Sequence, residues 1–267
     1  MQLGAGIAKS LFDEVEPETI VWLRLVTSAL ILGVACRPVL RGRTGTDWLV
    51  VLAFGATLAL MNWAIYQSFA RIPLGIAVTI EFIGPLALAV LFSRRARDLA
   101  WVVLAALGVS LLGLERADLD LVGVLFALLA GAAWAAYILL TVQTGRRWQG
   151  LDGLAMASIV ATILLTPVMA GGGGEGLGDV RILAIGAAVG LLSSVIPYGC
   201  EMIALRTLSA SVLSILMSLE PAAAALVGML VVSEFLTGLQ WLAVACVVIA
   251  SIGATRSQPV MSEPLPD

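Results

Sequence analysis

Long apolar runs alternate with short polar breaks along the chain, and the runs have the length of membrane spans. A helix rises about 1.5 Å per residue, so a hydrocarbon core of about 30 Å takes roughly 20 apolar residues. Such runs fall near 18–36, 48–70, 73–93, 99–114, 120–143, 152–170, 180–204, 207–232 and 238–255. The breaks RPVLRGRTGTD, SRRARD, ERADLD, TGRRWQG and GGGGEGLGD are polar, charged or glycine-bearing. The run 99–114 is short and fits a locally thinned bilayer. The opening MQLGAGIAKSLF is apolar and helix-like, but its length of about 18 Å is too short to span. No basic region precedes it, as a signal peptide requires. It reads as the latter part of an incomplete first helix, so the pattern predicts an all-α integral membrane bundle of ten helices.

Two segments look alike. NWAIYQSFARIPLGIAVTIEFIGPLALAVLF starts at Asn62, and PYGCEMIALRTLSASVLSILMSLEPAAAALVGML starts at Pro197. Each has an arginine near its start, Arg71 or Arg206, and then an internal proline, Pro85 or Pro221. The expected organisation is two five-helix repeats, 1–114 and 119–255, followed by a tail at 256–267. An odd number of helices per repeat inverts the second relative to the first. The cations agree with this. Arg37, Arg41, Arg43, Arg94, Arg95, Arg97, Arg146, Arg147, Arg206 and Arg256 fall on one side, against Lys9, Arg71, Arg116 and Arg181 on the other. The arginine-rich side is expected to be cytoplasmic, with both termini there and the bundle in the cell inner membrane. The tail SQPVMSEPLPD is polar and proline-rich, and is expected to be disordered.

Composition narrows the function. Hydrophobic residues make up 60% and charged residues 12%, against roughly a quarter charged in soluble domains. The net charge of −3 gives no sign of nucleic-acid binding. The chain has no histidine, which removes histidine proton shuttles, metal ligands and nucleophile pairs. No glycine-rich phosphate loop is present, so neither an enzyme nor a cofactor is expected. Cys36, Cys200 and Cys246 lie in apolar runs without metal-ligand spacing, which argues against a disulfide framework or a zinc site.

Four charges are left in apolar surroundings: Arg24, Glu81, Glu201 and Glu220. Their positions put Glu81 and Glu220 roughly 12–20 Å deep, close to the midplane. An acid there costs about 2.5–3.5 kcal/mol on insertion scales, and such residues face a bundle interior or a wet cavity. Each stands beside a proline, Pro85 or Pro221. Proline frees a backbone carbonyl, and freed carbonyls at mid-depth can coordinate an ammonium or an ion. The carboxyls themselves can carry a proton or pair with a cationic substrate group. The alternative is a protonated acid bonded to a neighbouring helix.

Two roles are open to Arg24: snorkelling to the surface, or holding a substrate carboxylate bidentately. Glu201 and Lys9 read as interfacial or paired charges. Asn62, Tyr66 and Trp134 are candidates for a cavity wall, whereas Trp63, Tyr137 and Tyr198 fit an interfacial aromatic belt. Gln67, an amide within an apolar run, needs a partner. Helix packing accounts for Ser211, Ser214 and Ser218 on one face, and for the Gly186–Gly190 pair.

The stretches QLGAGIAKSLFDEV, WLRL, NWAIYQSFARIPLGIAVTIEFIGPLALA, DLDLVGVLFALLAGAAWAAYILL and ILMSLEPAAAALVGMLVVSE carry a resemblance. The chain resembles the EamA-type drug/metabolite transporter superfamily, and is most similar to its threonine/homoserine exporter branch. The resemblance implies ten helices in two inverted repeats, cytoplasmic termini and a central cavity. It also implies efflux of small amino acids in exchange for protons. Its EFIGP falls on Glu81–Pro85, its MSLEP on Met217–Pro221, its WLRL on Arg24 and its AKSLFDE ends on Lys9–Glu14. The expectation is a secondary active transporter working by proton antiport and alternating access. Its partners are a small-molecule substrate, protons and the lipid bilayer, with a homodimer left open. The alternatives are a transporter of another substrate class and a non-transporting membrane scaffold.

Overall fold

The structure, a computed structural model, describes residues 1–92, 99–114, 120–171, 174, 176–197, 200 and 216–257. Arg94, Arg95, Arg97, Arg116, Tyr198, Glu201, Arg206, Ser211, Ser214 and the tail from 258 onward lie outside the described residues. Among the described residues there are ten helices and no strand. They are α1 (Gln2–Lys9), α2 (Pro17–Cys36), α3 (Gly45–Phe69), α4 (Leu74–Leu91), α5 (Leu99–Leu114) and α6 (Leu121–Gly145), then α7 (Asp152–Gly171), α8 (Val180–Val195), α9 (Glu220–Val231) and α10 (Gly238–Ser257). Six of them, α2, α3, α4, α6, α7 and α10, are long and apolar enough to cross a bilayer.

Local chemistry sets the ends. Pro17 opens α2, where its missing N–H costs nothing. Thr44 and Asp47 form a reciprocal capping box at the start of α3. Asp120 and Asp179 cap α6 and α8 through the Val122 and Arg181 amides, at 2.7 and 2.8 Å. Arg37 ends α2 with a left-handed φ of 49°. On the outside of the bundle, Leu30, Val34, Leu107, Leu125 and Ile249 are each more than half exposed, as side chains that face lipid would be.

The helices pack in a regular scheme. The extensive pairings are α3 on α6, α2 on α7, α5 on α10, α3 on α7 and α4 on α9, with α8 against α2 and α1. Small residues allow the closest approaches, as they do where lipid removes the hydrophobic drive between helices. A Cβ on Gly75 of α4 would lie 2.7 Å from the Ala225 Cα of α9. Gly186 and Gly190 of α8 sit against Leu23 and Thr27 of α2, which bears out their reading as a packing pair. Ser218 is hydrogen-bonded to Ser251 of α10 at 2.7 Å.

Three helices depart from regularity. α4 consists of two segments, Leu74–Glu81 and Ile83–Leu91, that meet at Phe82. Pro85 has no N–H, so the Glu81 carbonyl receives no bond from the next turn. That carbonyl packs on α6, where a Cβ on Gly131 would lie 2.5 Å from its oxygen. The sequence reading had such a carbonyl available to a ligand, whereas here it lies against a neighbouring backbone. In α9 the chain makes a turn at Ser218–Leu219, and the helix starts at Glu220 with Pro221 in its first turn. The last turn of α8, Leu191–Val195, widens to a π-helix.

Gly131→Ala is expected to lower the stability of the detergent-solubilised protein by about 1–3 kcal/mol, because only backbone movement makes room for the methyl. Gly33 has nothing within 4 Å of a Cβ. Gly33→Ala is expected to leave the apparent melting temperature unchanged or raised. Thermal unfolding of the two variants checks this.

Candidate functional site

Three polar side chains reach one level of the bundle from three different helices. Arg24 follows Pro17, the first residue of α2, by seven positions. Asn62 precedes Phe69, the last residue of α3, by seven. Glu81 follows Leu74, the first residue of α4, by seven. These three helix ends lie on one face, so all three side chains lie about 10 Å below it. Here they meet a cavity of about 520 Å³ that Arg24, Asn62, Glu81, Trp134 and Glu220 all line. The cavity continues past Phe54 and Tyr137 to Thr144, Trp148 and Leu151, at the turn between α6 and α7. Its mouth is therefore on the face that carries Arg37, Arg41, Arg43, Arg146 and Arg147.

Arg24 is turned inward. Its Nε donates to Ser194 Oγ and its Nη2 to the Ser193 carbonyl, both at 3.2 Å, so its partners belong to the π-helical turn of α8. Beneath its guanidinium, 5.8 Å away, is the ring of Tyr66. Of the two roles open to Arg24, this geometry removes snorkelling. Tyr66 itself does not line the cavity. It is fully buried behind Arg24, and its hydroxyl has no hydrogen-bond partner among the described residues.

The two acids occupy the two helix interruptions. Glu81 ends the first segment of α4, and Glu220 opens α9. At Glu220 the exposed amides of a helix N-terminus favour a negative charge. Trp134 stands edge-on to Phe82, the residue at the α4 interruption, with ring centroids 4.9 Å apart. Tyr137 stacks on Phe54 at 4.9 Å. A cation, two carboxyls, an amide and an aromatic wall thus share one space. That is a complement to a small zwitterion: the cation for its carboxylate, an acid for its ammonium.

The face opposite the mouth is closed by polar contacts. Lys9 pairs with Glu234 and donates to the Ile72 carbonyl at 2.7 Å, and Glu234 accepts from the Leu74 amide at 2.7 Å. The pair thereby ties the end of α1, the α3–α4 turn and the α9–α10 connection together. Arg181 pairs with Glu14 at 2.8 Å, and Arg71 reaches Asp120 at 4.0 Å. Gln67, a polar side chain in an apolar run, donates to Glu18 at 2.5 Å. On the mouth face, Arg43 lies 4.2 Å over the Trp148 ring and donates to the Arg147 carbonyl, while Arg147 pairs with Asp47 at 3.1 Å.

The sequence reading missed Thr144, Trp148 and Leu151 as lining residues, because only the course of the cavity brings them in. The side chains of Lys9 and Glu234 are 13% and 18% exposed, so their pairing replaces much of the water that each charge would hold. Lys9→Met or Glu234→Leu alone strands the other charge and is expected to cost on the order of 2 kcal/mol, below the value for fully buried pairs. The double variant is expected to lose less than the sum of the two. A thermal double-mutant cycle measures the difference.

Comparison with known proteins agrees with this architecture. Residues 121–256 match the EamA-like transporter family. The chain is 42% identical over 269 residues to the threonine/homoserine exporter RhtA of Salmonella typhimurium (strain LT2), covering 98% of this chain and 91% of that protein. It is 41% identical over 258 residues to the protein of the same name from Escherichia coli (strain K12), covering 96% and 87%. An uncharacterized transporter of Bacillus subtilis (strain 168), YwfM, is 31% identical over 166 residues, covering 61% and 56%. A solved crystal structure with 17% identity superimposes with a TM-score of 0.56, covering 95% of this chain and 92% of that one, and so shares the fold. With a helical bundle of apolar spans and relatives named as transporters, the chain is a multi-pass membrane protein that belongs to the EamA-like transporter family.

Proposed function

We propose that this protein exports small amino acids of the threonine and homoserine kind across the cell inner membrane, in exchange for protons. The observation that carries the reading is the shared cavity: Arg24 stands in one space with the carboxyls of Glu81 and Glu220. The names of the relatives, threonine/homoserine exporters, support the substrate class.

In this reading the substrate carboxylate takes Arg24 from its partners in the π-helical turn. The ammonium pairs with a carboxylate, and Glu220 is the better placed for it at its helix N-terminus. A carboxyl between apolar walls is tolerated when neutral or when paired with a cation, not when bare. Substrate and proton therefore exclude one another at the acids, and release of one accompanies uptake of the other. Asn62 and Trp134 complete the wall, and Tyr66 holds Arg24 from behind.

Transport needs the cavity to open alternately to each face. We take residues 1–114 and 119–255 as two inverted five-helix repeats that rock about this site, with 256–267 as a tail and both termini cytoplasmic. The packing supports this. Exchanging each helix with the one five places along maps α3–α6 onto α8–α1, α3–α7 onto α8–α2, and α4–α6 onto α9–α1, and every one of these pairs is packed. In this reading the arginine-rich face is cytoplasmic, and a mouth on that face corresponds to an inward-open arrangement. In that state Lys9, Glu234 and their backbone partners close the outer face.

The test is efflux of radiolabelled threonine and homoserine from cells lacking their own exporters, followed by proton flux in reconstituted vesicles. The wild type is expected to lower internal substrate and acidify the vesicle counter-side. Arg24→Ala is expected to raise the apparent KM at least tenfold. Glu220→Gln is expected to abolish coupling to a pH gradient. Full proton-driven export by Glu220→Gln overturns the role of that carboxyl. Wild-type cells that retain both amino acids overturn the substrate class, and a panel of other metabolites then follows.

A further inference from the structure

Threonine and homoserine share one group beyond the zwitterion, a side-chain hydroxyl. The zwitterion uses Arg24 and the acids, so the hydroxyl must find another partner or lose its hydrogen bonds to water on entering. An unmatched hydroxyl in an apolar site is costly. The α3 wall of the cavity offers Phe54, Met61, Ile65 and Phe69, none with more than the weak acceptor of a thioether, and one amide, Asn62. Asn62 is only 2% exposed and lies in the same layer as Arg24 and Glu81. Its Nδ2 donates to the Leu58 carbonyl one turn back at 2.8 Å. That bond anchors the amide on its own helix and leaves Oδ1 as the acceptor.

Gln2 and Tyr137 also line the cavity, while its small hydroxyls are engaged or distant. Ser193 supplies its carbonyl to Arg24 and its hydroxyl to the Met1 carbonyl. Thr141 is bonded to the Tyr137 carbonyl, and both Thr141 and Thr144 lie near the mouth end of α6. Resting on the amino-acid export reading above, we propose that Asn62 Oδ1 accepts the side-chain hydroxyl of the substrate. It thereby selects hydroxy amino acids over apolar ones of the same shape. A site that satisfies a hydroxyl rejects the analogue lacking it far more strongly than an apolar pocket can reject the hydroxyl.

The experiment compares threonine with valine, in which a methyl replaces the hydroxyl, in vesicles holding wild type, Asn62→Leu or Asn62→Ser. Initial rates give KM and kcat for each amino acid. Wild type is expected to favour threonine by roughly tenfold or more in kcat/KM. Asn62→Leu is expected to raise the threonine KM and to lower or leave unchanged that for valine, which erases the preference at similar kcat. Asn62→Ser, with a hydroxyl in place of the amide, is expected to restore part of it. A merely structural role for Asn62 moves both substrates together, so an unchanged threonine-to-valine ratio in Asn62→Leu overturns the assignment alone. Wild type that transports neither amino acid overturns the assignment together with the export reading.

Discussion

A bilayer supplies no hydrogen bonds, so each backbone group at mid-depth must be satisfied by the protein or face an internal space. The rest of this structure follows from that constraint. It makes the chain helical throughout its described spans, and it limits where a helix can be interrupted. Both interruptions beside the acids are turned inward. The one at Phe82 is shielded by Trp134 and by the close approach of Gly131, and Pro221 falls where its missing N–H is not needed. The widened turn of α8 gives its Ser193 carbonyl to Arg24. Irregular backbone and buried charge thus occur together because each relieves the other.

The two faces of the bundle handle charge differently. On the closed face Lys9, Arg71 and Arg181 each have an acidic partner from elsewhere in the chain. On the mouth face Arg37, Arg41 and Arg146 are exposed. Cations paired in place have no net call on the anionic surface of a membrane, whereas unpaired ones do. The same pairs that balance charge also draw α1, α4 and α9 together over the cavity.

Much of this was legible in one dimension. The short run 99–114 became α5 with the same limits, and the acids were conspicuous because little else in their runs is charged. Arg24 and Glu81 stood out for the same reason. What the sequence held back depends on which helices meet. Lys9 and Glu234 are far apart in the chain, and no periodicity links them. Tyr66 has the same side-chain chemistry as a wall residue, and only the placement of α2 over α3 puts it behind Arg24. Thr144 and Trp148 look like ordinary helix-end residues until the cavity is traced down α6. The freed carbonyl at Pro85 was predictable, but its burial against Gly131 needed the packing.

The contacts of Arg24 bear on how tightly this protein can hold what it carries. Both bonds to the α8 turn measure 3.2 Å, at the long end for such contacts. The guanidinium is therefore neither bare nor firmly held. A carboxylate that bound Arg24 would gain only the difference between its own bonds and those it displaced. A resident partner of this kind would keep such a bound state shallow. In the export reading, a shallow bound state would ease release of the load at the expense of affinity.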